Sequence, residues 1–151
     1  MSDESGQILI RLSYLAGIID GEGCIGAYKI YKSSNSYRVI LKVGMTDCQP
    51  PQMLKQAFGG NLRLIPSKGK NKPVFAWEIC SKRAADVLEV LLPYLTVKQS
   101  KARSAIALAR MHHSTKRQRG ADGRFPKLAM EDIAIRKPLY EALRNTNKYG
   151  G

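Results

Sequence analysis

Glu22 is the side chain around which a chemical reading of this sequence can be built. It sits in Leu15-Ala16-Gly17-Ile18-Ile19-Asp20-Gly21-Glu22-Gly23, where a helical pattern stops and an apolar run begins. Read as a helix from about Ile8, the stretch has two faces. Ile8, Leu12, Leu15 and Ile19 recur at i, i+4, i+7 and i+11, an apolar stripe suited to a core. Ser13, Ala16, Gly17 and Asp20 recur at i, i+3, i+4 and i+7, and almost all are small. Small residues let two helix backbones approach closely, and Gly17 and Gly21 have the Gly-xxx-Gly spacing. This helix is therefore expected to have two partners, its own domain and a second helix. The second would be met by Ser13, Ala16, Gly17, Asp20 and Gly21. Gly21 and Gly23 are expected to end the helix, because glycine costs little at a C-cap and more inside. A carboxylate at the end of a close helix pair can hold a metal ion. It can equally be a solvated side chain beyond a cap, and spacing alone leaves both readings open.

Other local patterns offer less. His112 and His113 are adjacent, so on a helix they point about 100° apart and share no face. Cys24, Cys48 and Cys80 are far apart with no C-x-x-C pair. They are expected to be buried thiols of an intracellular, reducing compartment (cytoplasm or organelle matrix), not a disulfide framework or a zinc site. The 151 residues, 44% apolar and 25% charged, suit one globular domain with a real core. Twenty-five Lys and Arg against 12 Asp and Glu give a net charge of +13, which points to a polyanionic partner. No apolar run approaches the roughly 20 residues that span a bilayer. The start, Met1-Ser2-Asp3-Glu4, is acidic, unlike a secretory leader.

The elements that must position Glu22 follow from periodicity. Cys24 to Lys32 and Tyr37 to Thr46 are strand-like around Ser33-Ser34-Asn35-Ser36, a hairpin signal. In the second strand Val39, Leu41, Val43 and Met45 form a core face, with Arg38, Ile40, Lys42 and Gly44 opposite. The first alternates less cleanly, and a bulge is one reading of it. Met53 to Phe58 reads as a short helix closed by Gly59-Gly60. Asn61 to Ile65 and Val74 to Cys80 form a second hairpin with Lys68, Lys70 and Lys72 in its loop. Phe75, Trp77 and Ile79 are assigned inward; Asn61, Arg63 and Ile65 are outward, opposite Leu62 and Leu64. Lys82 to Leu92 is an amphipathic helix stopped by Pro93. Thr96-Val97-Lys98-Gln99 links it to an Ala-rich helix from Ser100 to about His112. A basic loop over 114–127 precedes a final helix, Met130 to Asn145, in which Pro138 implies a kink or break. Antiparallel strands segregated from helices imply an α+β domain, 1–151, with helices on one face of a sheet. The open face would carry Arg38, Lys42 and Arg63, extended by Lys32, Lys68, Lys70 and Lys72 at the hairpin ends. A twisted sheet or ribbon of this kind fits the major groove of duplex DNA. Base contacts are expected from Arg38, Ile40, Lys42, Gly44, Arg63 and Ile65, with Tyr28 added if the first strand alternates simply.

The nonamer resembles the signature of the LAGLIDADG homing endonucleases, with Ile18 for Leu, Gly21 for Ala and Glu22 for Asp. The layout over roughly residues 8 to 112 is also similar: a motif helix, then two hairpins each followed by a helix, αββαββα. The resemblance implies a saddle-shaped sheet over DNA and motif helices packed against each other at the centre. With one motif and no internal repeat, it implies a homodimer on a pseudo-palindromic double-stranded site. It implies Mg²⁺, with Mn²⁺ or Ca²⁺ as substitutes, held by Glu22 and the backbone carbonyl of Gly21. Asp20 would be structural, orienting the motif turn or the helix pair. Lys98, in the link after Pro93-Tyr94-Leu95, matches the family's pocket lysine, which stabilises phosphorane charge or orders the attacking water. Asp47 matches a polar position beside the water network. An arginine of the family has no counterpart here, where Pro51 or Gln52 stands. The same fold also serves RNA-splicing maturases, and a non-catalytic DNA-binding regulator could use the sheet alone. These are the alternatives to a site-specific, metal-dependent DNA endonuclease.

Overall fold

The structure, a computed structural model, describes residues 2–31, 36–114, 121 and 130–145. It runs α1 (Ser2–Glu22), β1 (Gly23–Lys29), β2 (Tyr37–Met45), α2 (Gln49–Phe58), β3 (Asn61–Ile65), β4 (Val74–Cys80) and α3 (Ser81–Leu91). A single 3₁₀ turn (Leu92–Tyr94) then leads to α4 (Gln99–Ser114) and α5 (Met130–Asn145). The four strands form one antiparallel sheet in the order β1-β2-β4-β3. This is the expected α+β arrangement.

Alternation decides the two faces. Val39, Leu41 and Val43 of β2 and Trp77 and Ile79 of β4 are buried under α1, α3 and α4, together with Leu88, Leu91, Leu95, Ala102 and Ala105. The β1–β2 register runs without interruption from Gly23 opposite Val43 to Lys29 opposite Tyr37, so there is no bulge. Ile25 is buried and Tyr28 exposed, the simple alternation. Leu64 departs from its inward assignment and stands 55% exposed, because β3 is an edge strand and the core ends beneath Leu62. The final helix is assigned without a break at Pro138. Tyr140 on it stacks on the buried Tyr37 of β2, ring centroids 4.4 Å apart. Burial, with the neighbouring Tyr140 and Glu141, raises the Tyr37 phenol above its ordinary range against the opposing pull of Arg136.

The motif helix differs from expectation in three ways. It starts at Ser2 rather than near Ile8. Ile8 is 59% exposed, and most of its neighbours at this end of the helix are exposed too. Leu12, Leu15, Ala16 and Ile19 form the inward stripe instead, spaced i, i+3, i+4 and i+7. Ala16 is therefore fully buried in its own chain and is not on the outward small-residue face. Gly21 is not a cap either, since the helix runs through Glu22 without a left-handed turn. Gly23 makes the stop: a Cβ there would lie 2.6 Å from the Ile19 carbonyl oxygen, so only glycine lets the strand leave so close to the helix end.

Candidate nucleic-acid interface and catalytic centre

Three segments meet where α1 ends. Asp20, in the last turn of α1, accepts hydrogen bonds from the backbone N–H groups of Thr96 (2.7 Å), Val97 (3.2 Å) and Lys98 (2.9 Å). These are donors at the entry to α4, whose first bond runs from Ala102 N–H to the Lys98 carbonyl. A carboxylate there satisfies orphan donors and complements the positive end of the helix. Asp20 is half-buried, and its carboxylate is bonded within its own chain.

Lys98 answers in the other direction. Its ammonium donates to the carbonyls of Ile19 (2.9 Å) and Gly23 (2.6 Å), closing the C-terminal end of α1. Those two bonds use two of three ammonium protons. Burial and the nearby Lys101 hold the Lys98 ammonium below the usual lysine range, against the opposing pull of Asp20, Cys24 and Glu22. Glu22 is thus within electrostatic reach of Lys98, and its carboxylate is exposed beside them.

Asp47 follows β2 at the same end of the sheet, where Val43 pairs with Gly23. One carboxylate oxygen accepts the Gln49 N–H at 2.9 Å, an Asx turn opening α2. Pro51 is buried in that helix and Gln52 is exposed. The donors near the helix end are hard oxygens, the Glu22 carboxylate and the Gly21 carbonyl. Among the described residues no group of three His, Cys, Asp or Glu side chains comes together. The donor set fits a cation such as Mg²⁺, which uses one or two carboxylates and fills its remaining positions from phosphate and water.

The outward face of the sheet starts at this centre. Cys24, Gly26 and Tyr28 of β1, Arg38, Ile40, Lys42 and Gly44 of β2, and Arg63 and Ile65 of β3 all lie on it. Arg38 Nη1 donates to the Tyr28 hydroxyl at 3.4 Å, and Arg63, Lys42 and Arg38 are exposed. Lys68, Lys70 and Lys72 are exposed in the loop at the Gly23 end of the sheet, and the first hairpin turns at the opposite end. Lys32 and most of the basic 114–127 loop lie outside the described residues. Cys24 and Cys80 are on the exposed face, not buried as expected, because strand alternation turns them outward. Part of this arrangement has no local signal in the sequence. The donors that Asp20 holds lie more than 70 residues away in sequence. Glu78 is placed outward by the same alternation that turns Trp77 inward, an acid on a cationic face.

On the opposite side, α1 leaves Ser13, Gly17 and Gly21 exposed in line, and a Cβ at either glycine would meet nothing within 4 Å. Ile10, Tyr14 and Ile8 are also exposed along this helix, and they line an apolar groove of about 690 Å³ with Met53 of α2. Among the described residues no helix is long and apolar enough to cross a membrane.

No protein-family model matches the chain, and no curated relative does. Solved structures do match. The homing endonuclease I-CvuI, in complex with its target in the presence of Ca, superposes with a TM-score of 0.66 at 20% identity, over 89% of this chain and 80% of that one. The archaeal intron-encoded homing endonuclease I-Vdi141I, complexed with DNA, gives 0.69 at 12% identity over 94% and 87%. The LAGLIDADG homing endonuclease I-GzeII, in complex with a DNA target, gives 0.61 at 15% identity, over 88% of this chain and 43% of that one. The chain has the fold of the LAGLIDADG homing endonucleases.

Proposed function

We propose that this protein is a metal-dependent, site-specific double-strand DNA endonuclease that works as a homodimer. The observation that carries the reading is the meeting of an exposed Glu22 and a clamped Lys98 at the edge of a cationic, outward-facing sheet. A binding module needs the sheet, and Lys98 to close α1, but has no use for an exposed carboxylate beside that lysine.

In phosphodiester hydrolysis a water oxygen bonds to phosphorus, the bond to one deoxyribose oxygen breaks, and that oxygen gains a proton. Glu22 and the Gly21 carbonyl would hold Mg²⁺, which supplies charge neutralisation and activation of water when bound. Lys98 keeps one ammonium proton beyond its two carbonyl bonds, suited to a phosphate oxygen or the attacking water. Asp47 retains one carboxylate oxygen outside its turn and would order water beside the scissile phosphate. Arg38, Lys42 and Arg63, with the lysines of both hairpin ends, would hold the duplex. A second copy would bring its own Glu22 alongside by packing against Ser13, Gly17 and Gly21, and the open space over both glycines supports that.

Glu22→Gln should abolish cleavage of a cognate duplex in Mg²⁺ while leaving its affinity within about tenfold, roughly 1.4 kcal/mol. Gel-shift and cleavage assays on the same duplex read the two effects. Loss of binding together with cleavage would make Glu22 a structural residue and defeat the assignment.

A further inference from the structure

Among the cations of the outward sheet face stands an acid. Glu78 of β4 lies opposite Lys42 on β2 and opposite Asn61 on β3. Its Oε2 is 3.9 Å from Arg63 Nη2, with the arginine side chain 61% exposed and the glutamate 35%. A surface that only gripped phosphates would gain nothing from a carboxylate there, since it repels them and offsets a cation. Nor is this a closed structural ion pair. Arg110 shows what one looks like in this chain, 2.7 Å from Asp86 and 2.8 Å from Glu89 on the helical side. At 3.9 Å, the N–H groups and carboxylate lone pairs remain open to a third partner.

We propose that Arg63 and Glu78 together read a G·C base pair in the major groove, a specificity determinant that rests on the DNA-binding function above. The guanidinium fork needs two adjacent acceptors, and among the bases only guanine offers them, at N7 and O6. The carboxylate needs a donor, and the cytosine N4 amino group comes next along the same edge. G·C therefore presents acceptor, acceptor, donor to a fork beside a carboxylate. A·T presents acceptor, donor, acceptor, which sets a donor against the fork and leaves the carboxylate facing an acceptor or a methyl. In a two-fold assembly the pair reads one such position in each half-site.

The test uses a duplex recovered by the wild-type chain from a randomised library, varied one base pair at a time, with binding measured in Ca²⁺. The wild type should favour G·C by about tenfold or more at one position per half-site. Glu78→Gln and Glu78→Ala should reduce that preference at the same position that Arg63→Gln affects, and leave the other positions unchanged. Equal changes at every position would overturn the inference and reduce Glu78 to a charge on the surface. Recovery of no duplex at all would overturn the DNA-binding function itself, a separate failure.

Discussion

Asp20 and Lys98 form a reciprocal clasp between two helix ends, and their charges are tied to each other as well as to the backbone. The carboxylate secures the start of α4, and the ammonium secures the finish of α1. Asp20→Asn keeps an oxygen but loses the charge, so it should cost about 1–2 kcal/mol of stability, measured by denaturant unfolding. It should also act on Lys98. Burial and Lys101 already lower the lysine's affinity for its proton, and Asp20 opposes them. Removing that carboxylate therefore moves the Lys98 pKa further down. If the ammonium form is the active one, the alkaline limb of the cleavage profile should shift to lower pH in Asp20→Asn. An unchanged limb with reduced stability would leave Asp20 purely structural and Lys98 outside the reaction. The place of Glu22 at the end of α1 was legible in the sequence because a motif frames it. The bonding of Lys98 and Asp20 was not, because both sides of the clasp are made by folding distant segments together.

Strands were more legible than helix ends. Alternation in β2 and β4 placed Val39, Leu41, Val43, Trp77 and Ile79 correctly, since a period of two leaves no third choice of face. A helix offers several stripes, and the one through Ile8 competed with the one through Ala16. Only packing against the sheet decided it. The outward face of α1 therefore carries Ser13, Gly17 and Gly21, with Ile10 and Tyr14 alongside. Glycine inside a helix costs about 1 kcal/mol relative to alanine, and among the described residues nothing stands within 4 Å of a Cβ at Gly17. Gly17→Ala should leave the isolated fold intact or stabilise it by up to about that amount. It should also weaken association, because a methyl would stand between two close helices. Sedimentation velocity should show a larger monomer fraction than in the wild type at equal concentration. A variant that dimerises as well as the wild type would mean that α1 does not form the interface.

At the scale of the whole molecule, an excess of 13 positive charges lies on a fold whose sheet has one covered and one open face. Charge alone indicated a polyanion, alternation put Arg38, Lys42 and Arg63 on one face, and the fold shows that this face begins beside the end of α1. Binding through that surface releases counterions, so log affinity should fall against log salt with a slope of about −0.9 per phosphate neutralised. A titration with a slope near zero would remove the sheet from the binding account. The separation of binding from cutting is what distinguishes an endonuclease from a regulator or a maturase on the same fold. It is read most directly by incubating the wild-type chain with a randomised duplex library in Mg²⁺, then sequencing bound and cleaved molecules apart. Recovery of a cleaved, near-palindromic site is the predicted result. Bound but uncut duplex, or enrichment of none, would contradict the assignment of Glu22 and Lys98 to catalysis.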